Sequence, residues 1–351
     1  MTELSVMPTA QTIGLDIGDR FSHYCVLGFD GEIAEEGRVR TTPEAIDRWF
    51  SSRSPVRVAV EVGTQANWIA DLAGNAGHYV IVANPRKVRA IYENTDKCDR
   101  VDAQMLARLA RSDPRLLHPV TPRDSQTRVT RSLLRSRDVL VRSRTKLINH
   151  VRGTLKIFGA RVPKCSSGAM AKNAREQIPF QLRGSILPIL DMIAELSRHI
   201  RFYDRRIEAL ARERYPQSQL LQQVAGVGAL TAVCYIVTIC DPKRFRSSRT
   251  VGSFVGLRPG RSQSGQSDPQ LRITKAGDRM LRRLLVTSAH YILGPFGPDT
   301  DLRRYGMRIA SHGGKAAKKR AAVAVARKLA VLLHRLWLNA EVYQPRRAQT
   351  Q

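Results

Sequence analysis

Hydrophobic spacing changes character part-way along this chain, and that change limits the folds open to it. From Thr130 to Phe158 apolar residues recur every seven positions: Leu133, Leu140 and Leu147 make one row, and Leu134, Val141, Ile148 and Leu155 the row beside it. A second series repeats the spacing, with Ile193, Ile200 and Ile207 in one row and Leu196, Tyr203 and Leu210 in the other. A seven-residue period is close to two helical turns, so each series paints one apolar stripe on a long helix that another helix must cover. A Gly/Ser/Lys-rich loop from Pro163 to Asn173 separates the two. The pattern predicts an antiparallel helical hairpin, a central coiled coil over 123–214. The arginines of its first half (Arg131, Arg135, Arg137, Arg142, Arg144) are expected on the outer face, where they can touch phosphate.

Upstream the period is different. Thr12 to Ile17 reads as a strand, and His23 to Gly28 with Glu32 to Val39 as a hairpin turning at Asp30-Gly31. Thr42 followed by Pro43 marks a helix start, because Thr caps free N–H groups and Pro fits the first turn. Strands at Val56 to Val62 and Tyr79 to Ala83 alternate with helices at Asn67 to Asn75 and Pro85 to Tyr92. This is an α/β module over 1–122, closed by Pro114, Pro119 and Pro122. Downstream, 215–345 reads as mainly α-helical, and it opens with a stretch from Tyr215 to Cys240 that holds no charge. Its apolar end is shorter than the ~20 residues a span requires and contains Gly226 and Gly228, so a buried core helix is expected and no membrane segment. The same Gly-x-Gly turn, ahead of a helix, is one that can present N–H groups to a phosphate.

Charge follows the same division. The chain carries a formal net charge of +28, yet residues 1 to 110 hold 12 Lys+Arg against 15 Asp+Glu, so the positive excess lies wholly downstream. A C-terminal remainder facing a polyanion accounts for this, and nucleic acid is the natural one, since cations that neutralise phosphates release counterions. An anionic membrane surface is the rival, but no polybasic cluster beside an anchor is present. Five scattered Cys without a C-x-x-C pair carry no disulfide or structural zinc signature and fit a reducing, cytoplasmic compartment. The first residues lack the basic start and apolar run of a secretory signal.

Why should the one acidic section be the α/β module? Asp16 ends its first strand, Glu61 follows the run Val58-Ala59-Val60, and Asp99 and Asp102 stand three apart at the start of a helix, on one face. Asp96 has the same spacing to Asp99. Carboxylates converging without a cation repel and push a pKa upward, so such a cluster makes sense chiefly as a cage for Mg²⁺ or Mn²⁺. Two such ions activate an attacking oxygen and steady the leaving one in phosphoryl transfer. An actin-like ATPase also starts with a strand ending in Asp-x-Gly, but the later phosphate-binding glycine motifs and adenosine loop are missing.

The segments IGLDIG, VAVEVG and KCDRVDAQMLARL, followed by GLRPGRSQSGQ and RITKAGDRMLRRLL, resemble the DEDD transposases of the insertion sequence 110 family, relatives of the pilin-gene invertases. The resemblance runs from about residue 12 to 340. It implies a ribonuclease H-like, Holliday-junction-resolvase-like module, then a coiled coil, then a transposase domain. It also implies a recombinase with Asp16, Glu61, Asp99 and Asp102 on metal and Ser264, the serine before Gly265, attacking DNA to give a phosphoserine link. Here Gln263 precedes that serine and Ser262 stands where the family commonly has an aromatic residue, so Ser262 stays beside Ser264 as a second candidate. Arg261, Arg272, Lys275, Arg282 and Arg283 are expected to hold the DNA backbone. The resemblance further implies double-stranded donor and target DNA, a guide RNA encoded by the element, a dimer or tetramer, and nucleoid association. The alternative is a resolvase-like nuclease hydrolysing branched DNA with the carboxylates alone.

Overall fold

The structure, a computed structural model, describes residues 11–84, 98–265, 267–269 and 271–346. The helix expected over Pro85 to Tyr92, and Asp96, lie outside them. The chain divides into two compact units, Met1–Asp124 and Ser125–Gln351.

The first unit is built on β1 (Thr12–Asp16), β2 (Phe21–Leu27), β3 (Ile33–Arg40), β4 (Arg57–Glu61) and β5 (Tyr79–Ala83), in sheet order β3-β2-β1-β4-β5. β1, β2 and β3 form an antiparallel meander, while β4 and β5 run parallel to β1. Parallel strands need crossovers, and α1 (Pro43–Ser51) and α2 (Ala66–Asn75) supply them. Thr42 caps α1 as its sequence predicts, accepting from the Ala45 N–H at 3.3 Å. Side chains alternate across the sheet. Ile13, Leu15, Val58 and Val60 face Ile46, Phe50 and Ile69 of α1 and α2. Ala59, Ile81 and Ala83 face the other side, where Leu106 and Ala110 of α3 (Asp99–Ser112) cover them. Both faces of the central strands are therefore dry, which explains the near-continuous apolar runs of β1, β4 and β5.

The second unit holds a long helical hairpin, α4 (Ser125–Ile157) and α6 (Arg183–Glu213), with α5 (Met170–Arg175) packed on α6 near its tip. Arg137 pairs with Asp204 and Arg144 with Ser197, so seven residues forward on α4 are seven back on α6: the helices are antiparallel. The buried residues of α6, Ile186, Leu190, Ile193, Ser197, Ile200, Ile207 and Ala211, follow a seam stepping by fours and threes. This corrects the expected rows. Ile193, Ile200 and Ile207 are buried, but their companions are Ser197 and Ala211, with Leu196, Tyr203 and Leu210 only half-buried beside the seam.

The arginines are corrected too. Arg137 and Arg144 bond across to α6, and Arg131 reaches Asp278 at 2.8 Å with both side chains largely covered, so these are not outer-face residues; Arg135 and Arg142 are exposed as expected. A helix two-thirds polar by sequence still buries cations where a partner supplies an acceptor, and periodicity of apolar residues alone does not show which neighbouring stripe that is.

After the hairpin come α7 (Ser218–Gln222), α8 (Ala229–Ile239), α9 (Ser248–Phe254), α10 (Arg279–Leu293), α11 (Asp301–Ala310) and α12 (Gly314–Asn339). The charge-free run becomes α8, buried from Thr231 to Ile239, and among the described residues no helix is long and apolar enough to cross a membrane. Leu134, Ile207, Ala211 and Tyr215 share one core with α8, α10 and α12. The sections expected at 123–214 and 215–345 therefore fall together in this second unit.

Candidate functional site

Strand alternation and one glycine assemble the acidic site. Asp16 and Gly14 share a face of β1, as Glu61 and Ala59 share that same face of β4. Leu15 pairs with Val60 in parallel register, so the carboxylates of Asp16 and Glu61 close adjacent strands side by side. α3 lies across this face: a Cβ built on Gly14 would sit 2.0 Å from the Ala103 carbonyl oxygen and 2.5 Å from the Ala107 nitrogen. Arg57, two pleats before Glu61 on the same face, donates to the Ala110 carbonyl at 2.8 Å and holds the far end of α3. The near end is then its first turn, which carries Asp99 and Asp102, placed favourably on the positive end of the helix dipole.

The four side chains feel one another. Burial first, then Asp102, Asp99 and Glu61 in that order, together raise the Asp16 carboxyl to about 6. His23 opposes them: it faces Asp16 across the β1–β2 ladder, and its Nε2 lies 3.8 Å from Asp99 Oδ2. Among the described residues no three of these side chains stand in the arrangement of a ready metal site. Their donor set, hard carboxylate oxygens with Asp99 exposed and Asp16, Glu61 and Asp102 half-buried, suits an oxygen-loving divalent cation that keeps some water.

Ser264 lies in the second unit, on an exposed arm between α9 and α10. The arm is an irregular antiparallel hairpin: Thr274 N–H donates to the Arg258 carbonyl, Gly260 N–H to that of Arg272, and Pro259 bridges Ile273. Near its end Ser264 and Ser267 exchange backbone hydrogen bonds of 3.1 and 3.0 Å, a closure that requires Gly265 at φ +54. Ser262 is exposed on the same arm but lies outside this ladder. The base is pinned by Gly256, φ +70, whose Cβ would meet the Ala276 carbonyl at 2.2 Å. Arg282 adds a clamp, donating to the Val255 and Ala276 carbonyls at 3.1 and 2.7 Å.

Sequence reasoning put Arg282 among the phosphate-holding residues, yet its guanidinium is turned to the arm's base. Arg283, half-exposed, pairs with the buried Asp138 of α4. Arg261, Arg272 and Lys275 are exposed on the arm. Replacing Arg282 with Ala is expected to leave two carbonyls without their donor and to loosen the arm by about 2 kcal/mol. Trypsin cleavage within 258–275 should speed up while the helical core melts almost unchanged; an arm as resistant as before would show that the glycine-bound base suffices. Elsewhere, Gly226 takes φ +83 against Ser288 and Tyr291 of α10, and Gly228 is exposed at the start of α8.

Two family models match this frame in order. A DEDD transposase model of the IS110 type covers residues 13–159, taking in the four carboxylates, and a model described as the transposase IS116/IS110/IS902 family covers 218–300, taking in the serine arm. This chain belongs to the IS110 family of transposases. Over 96% of its length it is 27% identical to the transposase for insertion sequence element IS1111A of Coxiella burnetii, of which 92% is covered. It is 29% identical to the IS1328 transposase of Yersinia enterocolitica, over 81% of this chain and 84% of that one. The pilin gene-inverting protein of Moraxella bovis is 26% identical, over 76% of this chain and 75% of that protein. A transposase of this family cleaves and rejoins DNA, so DNA is its substrate and transposition its reaction.

His23 is a residue that the sequence motifs do not single out. The β1–β2 register, with six residues between the two, sets it directly opposite Asp16. Arg57 has no sequence signal either, because a basic residue opening a strand gives no hint of a helix end fifty residues on.

Proposed function

We propose that this transposase exchanges DNA strands through a covalent phosphoserine intermediate, with Asp16, Glu61, Asp99 and Asp102 holding Mg²⁺ or Mn²⁺ and Ser264 as nucleophile. The convergence of the four carboxylates on one face of the sheet carries the reading. A divalent ion bound there would neutralise phosphate charge and make a nearby oxygen a better nucleophile. Ser264 Oγ forms a bond to phosphorus, the bond from phosphorus to a sugar oxygen breaks, and that oxygen leaves as a hydroxyl having gained a proton in place of the one Ser264 gives up. A second sugar hydroxyl reverses the step. The phosphodiester's energy is conserved in the serine link, so joining needs no nucleotide cofactor. Arg261, Arg272 and Lys275 are placed on the arm to hold the phosphate backbone beside Ser264, Arg282 keeps the arm in position, and Arg283 ties α10 to the hairpin.

The strand order β3-β2-β1-β4-β5, three antiparallel and the rest parallel, supports a ribonuclease H-like first unit. The four-and-three stepping of α6 against an antiparallel α4 supports a coiled coil within the chain, and assembly as a dimer or tetramer is part of the proposal. Guidance by an RNA from the element follows from the family resemblance.

Denaturing gels of a Mg²⁺ reaction on element-end DNA test the serine. The wild type should leave a protein–DNA adduct and Ser264→Ala none, with strand exchange down at least ~1,000-fold; an adduct that persists in Ser264→Ala and vanishes in Ser262→Ala moves the role to Ser262. The hydrolytic reading, favoured by the carboxylates lying wholly within the first unit, predicts free ends, no adduct, and no effect of Ser264→Ala.

A further inference from the structure

We infer that the exposed turn joining α11 to α12 is a docking surface for the sugar–phosphate backbone of duplex DNA, separate from the serine arm. The inference rests on reading the chain as an enzyme that acts on DNA. Its starting point is a charge run: between Asp301 and Glu341 there are ten Lys and Arg and no Asp or Glu. About half of them have work inside the fold. Arg303 donates to the Ile292 and Gly294 carbonyls, Arg304 pairs with Asp299, Arg335 with Glu341, and the Lys328 ammonium lies 3.8 Å over the Tyr305 ring.

What remains is concentrated. Arg308, Lys315, Lys318, Lys319 and Arg320 are all exposed, lie within thirteen consecutive residues, and have no carboxylate partner among the described residues. They do not hang on a loose tail. Ala317, Ala321, Ala322 and Val325 bury the opposite face of α12, and Gly306 of α11 is packed so tightly that a Cβ would sit 2.5 Å from Val325 and Leu293. The cations are thus presented at fixed spacing by packed helices.

Their arrangement is unfavourable as it stands. Lys315 and Lys319 are like charges at i,i+4, and Lys315 and Lys318 sit in the first turn, where the helix dipole disfavours cations and no acidic residue offsets them. An external polyanion relieves each of these. Duplex backbone fits better than unpaired bases, because Gly306 to Leu336 contains no Phe, Tyr or Trp to stack on. The segment also lies beyond both stretches matched by the family models, which end at residue 300.

The test uses the full chain and a random-sequence DNA duplex, with binding measured across a salt series. Simultaneous Lys318→Ala, Lys319→Ala and Arg320→Ala changes should make the slope of log affinity against log salt shallower by up to about 2.7, at about 0.9 per lost phosphate contact. Affinity near 0.15 M salt should fall at least about tenfold. Lys318→Arg with Lys319→Arg, which keeps the charge, should retain the wild-type slope. Binding is measured in EDTA, where no divalent ion is available for strand exchange, so a failed strand-exchange mechanism and a failed docking surface give different results. A slope unchanged in the triple variant overturns the inference. So does a loss confined to a hairpin RNA with duplex DNA binding intact.

Discussion

Asp16→Asn is expected to abolish strand exchange while making the metal-free first unit more stable. The carboxyl sits at about 6 against an ordinary 3.8, so the folded state holds its proton more tightly than the unfolded chain does. Ionisation at neutral pH therefore works against folding. That destabilisation is fully present above about pH 6, shrinks as pH falls from there toward 3.8, and is absent below it. A shift of this size corresponds to about 3 kcal/mol at face value. Because Asp16 is partly open to water, about 1–2 kcal/mol is the realistic gain for Asn at pH 7.5.

The signature is a combination no merely structural role would give. By denaturant titration, Asn should raise stability at pH 7.5 and change nothing at pH 3.5. Mg²⁺ should stabilise the wild type and leave the variant where it was, since a cation bound only by the folded state adds to its stability. Strand exchange should drop about 1,000-fold or more, the loss of several kcal/mol of transition-state stabilisation. Wild-type activity should also fall as pH goes below about 6, where a proton competes with the cation for Asp16. An Asn variant less stable than wild type at pH 7.5, or one still responding to Mg²⁺, would remove the acidic site from the mechanism.

Gly14→Val is expected to cost about 3 kcal/mol or more and to lose the acidic site with the fold around it. The atoms a Cβ would strike are the Ala103 carbonyl oxygen and the Ala107 nitrogen, both backbone of α3, with no rotamer to swing aside. Either α3 lifts from the sheet, opening the packing of Ala103, Leu106, Ala107 and Ala110, or β1 distorts. Lifting α3 carries Asp99 and Asp102 away from Asp16 and Glu61. Urea unfolding should show the loss of stability, and Mg²⁺ should no longer stabilise what remains. A variant within about 1 kcal/mol of wild type that still responds to Mg²⁺ would mean that α3 is not held where Gly14 places it.

Most of the secondary structure was legible because its causes are local. The Thr42-Pro43 start, the strand at Tyr79 to Ala83 and the charge-free buried helix each follow from residues within one or two turns of each other. The seam of the hairpin was legible only in part. Its leucines and isoleucines announce a stripe, but Arg137, Arg144, Ser197 and Asp204 complete it, and polar residues show their burial only through partners that lie fifty to seventy positions away. His23 and Arg282 were hidden for the same reason: one is defined by a cross-strand register, the other by two carbonyls at the foot of an arm.

Sequence alone determined which residue types this transposase has to spend on phosphate chemistry, four acids upstream and a cationic remainder downstream, because composition and short-range spacing are properties of the chain itself. Tertiary structure decided which of those charges meet. Alternation put Asp16 and Glu61 on one face, but only the close approach of Gly14 to α3 brought Asp99 and Asp102 over them, and only packing sorted the arginines into those that hold the protein together and those left exposed. A side chain's direction is set by its own backbone, whereas what it faces is set by another segment's.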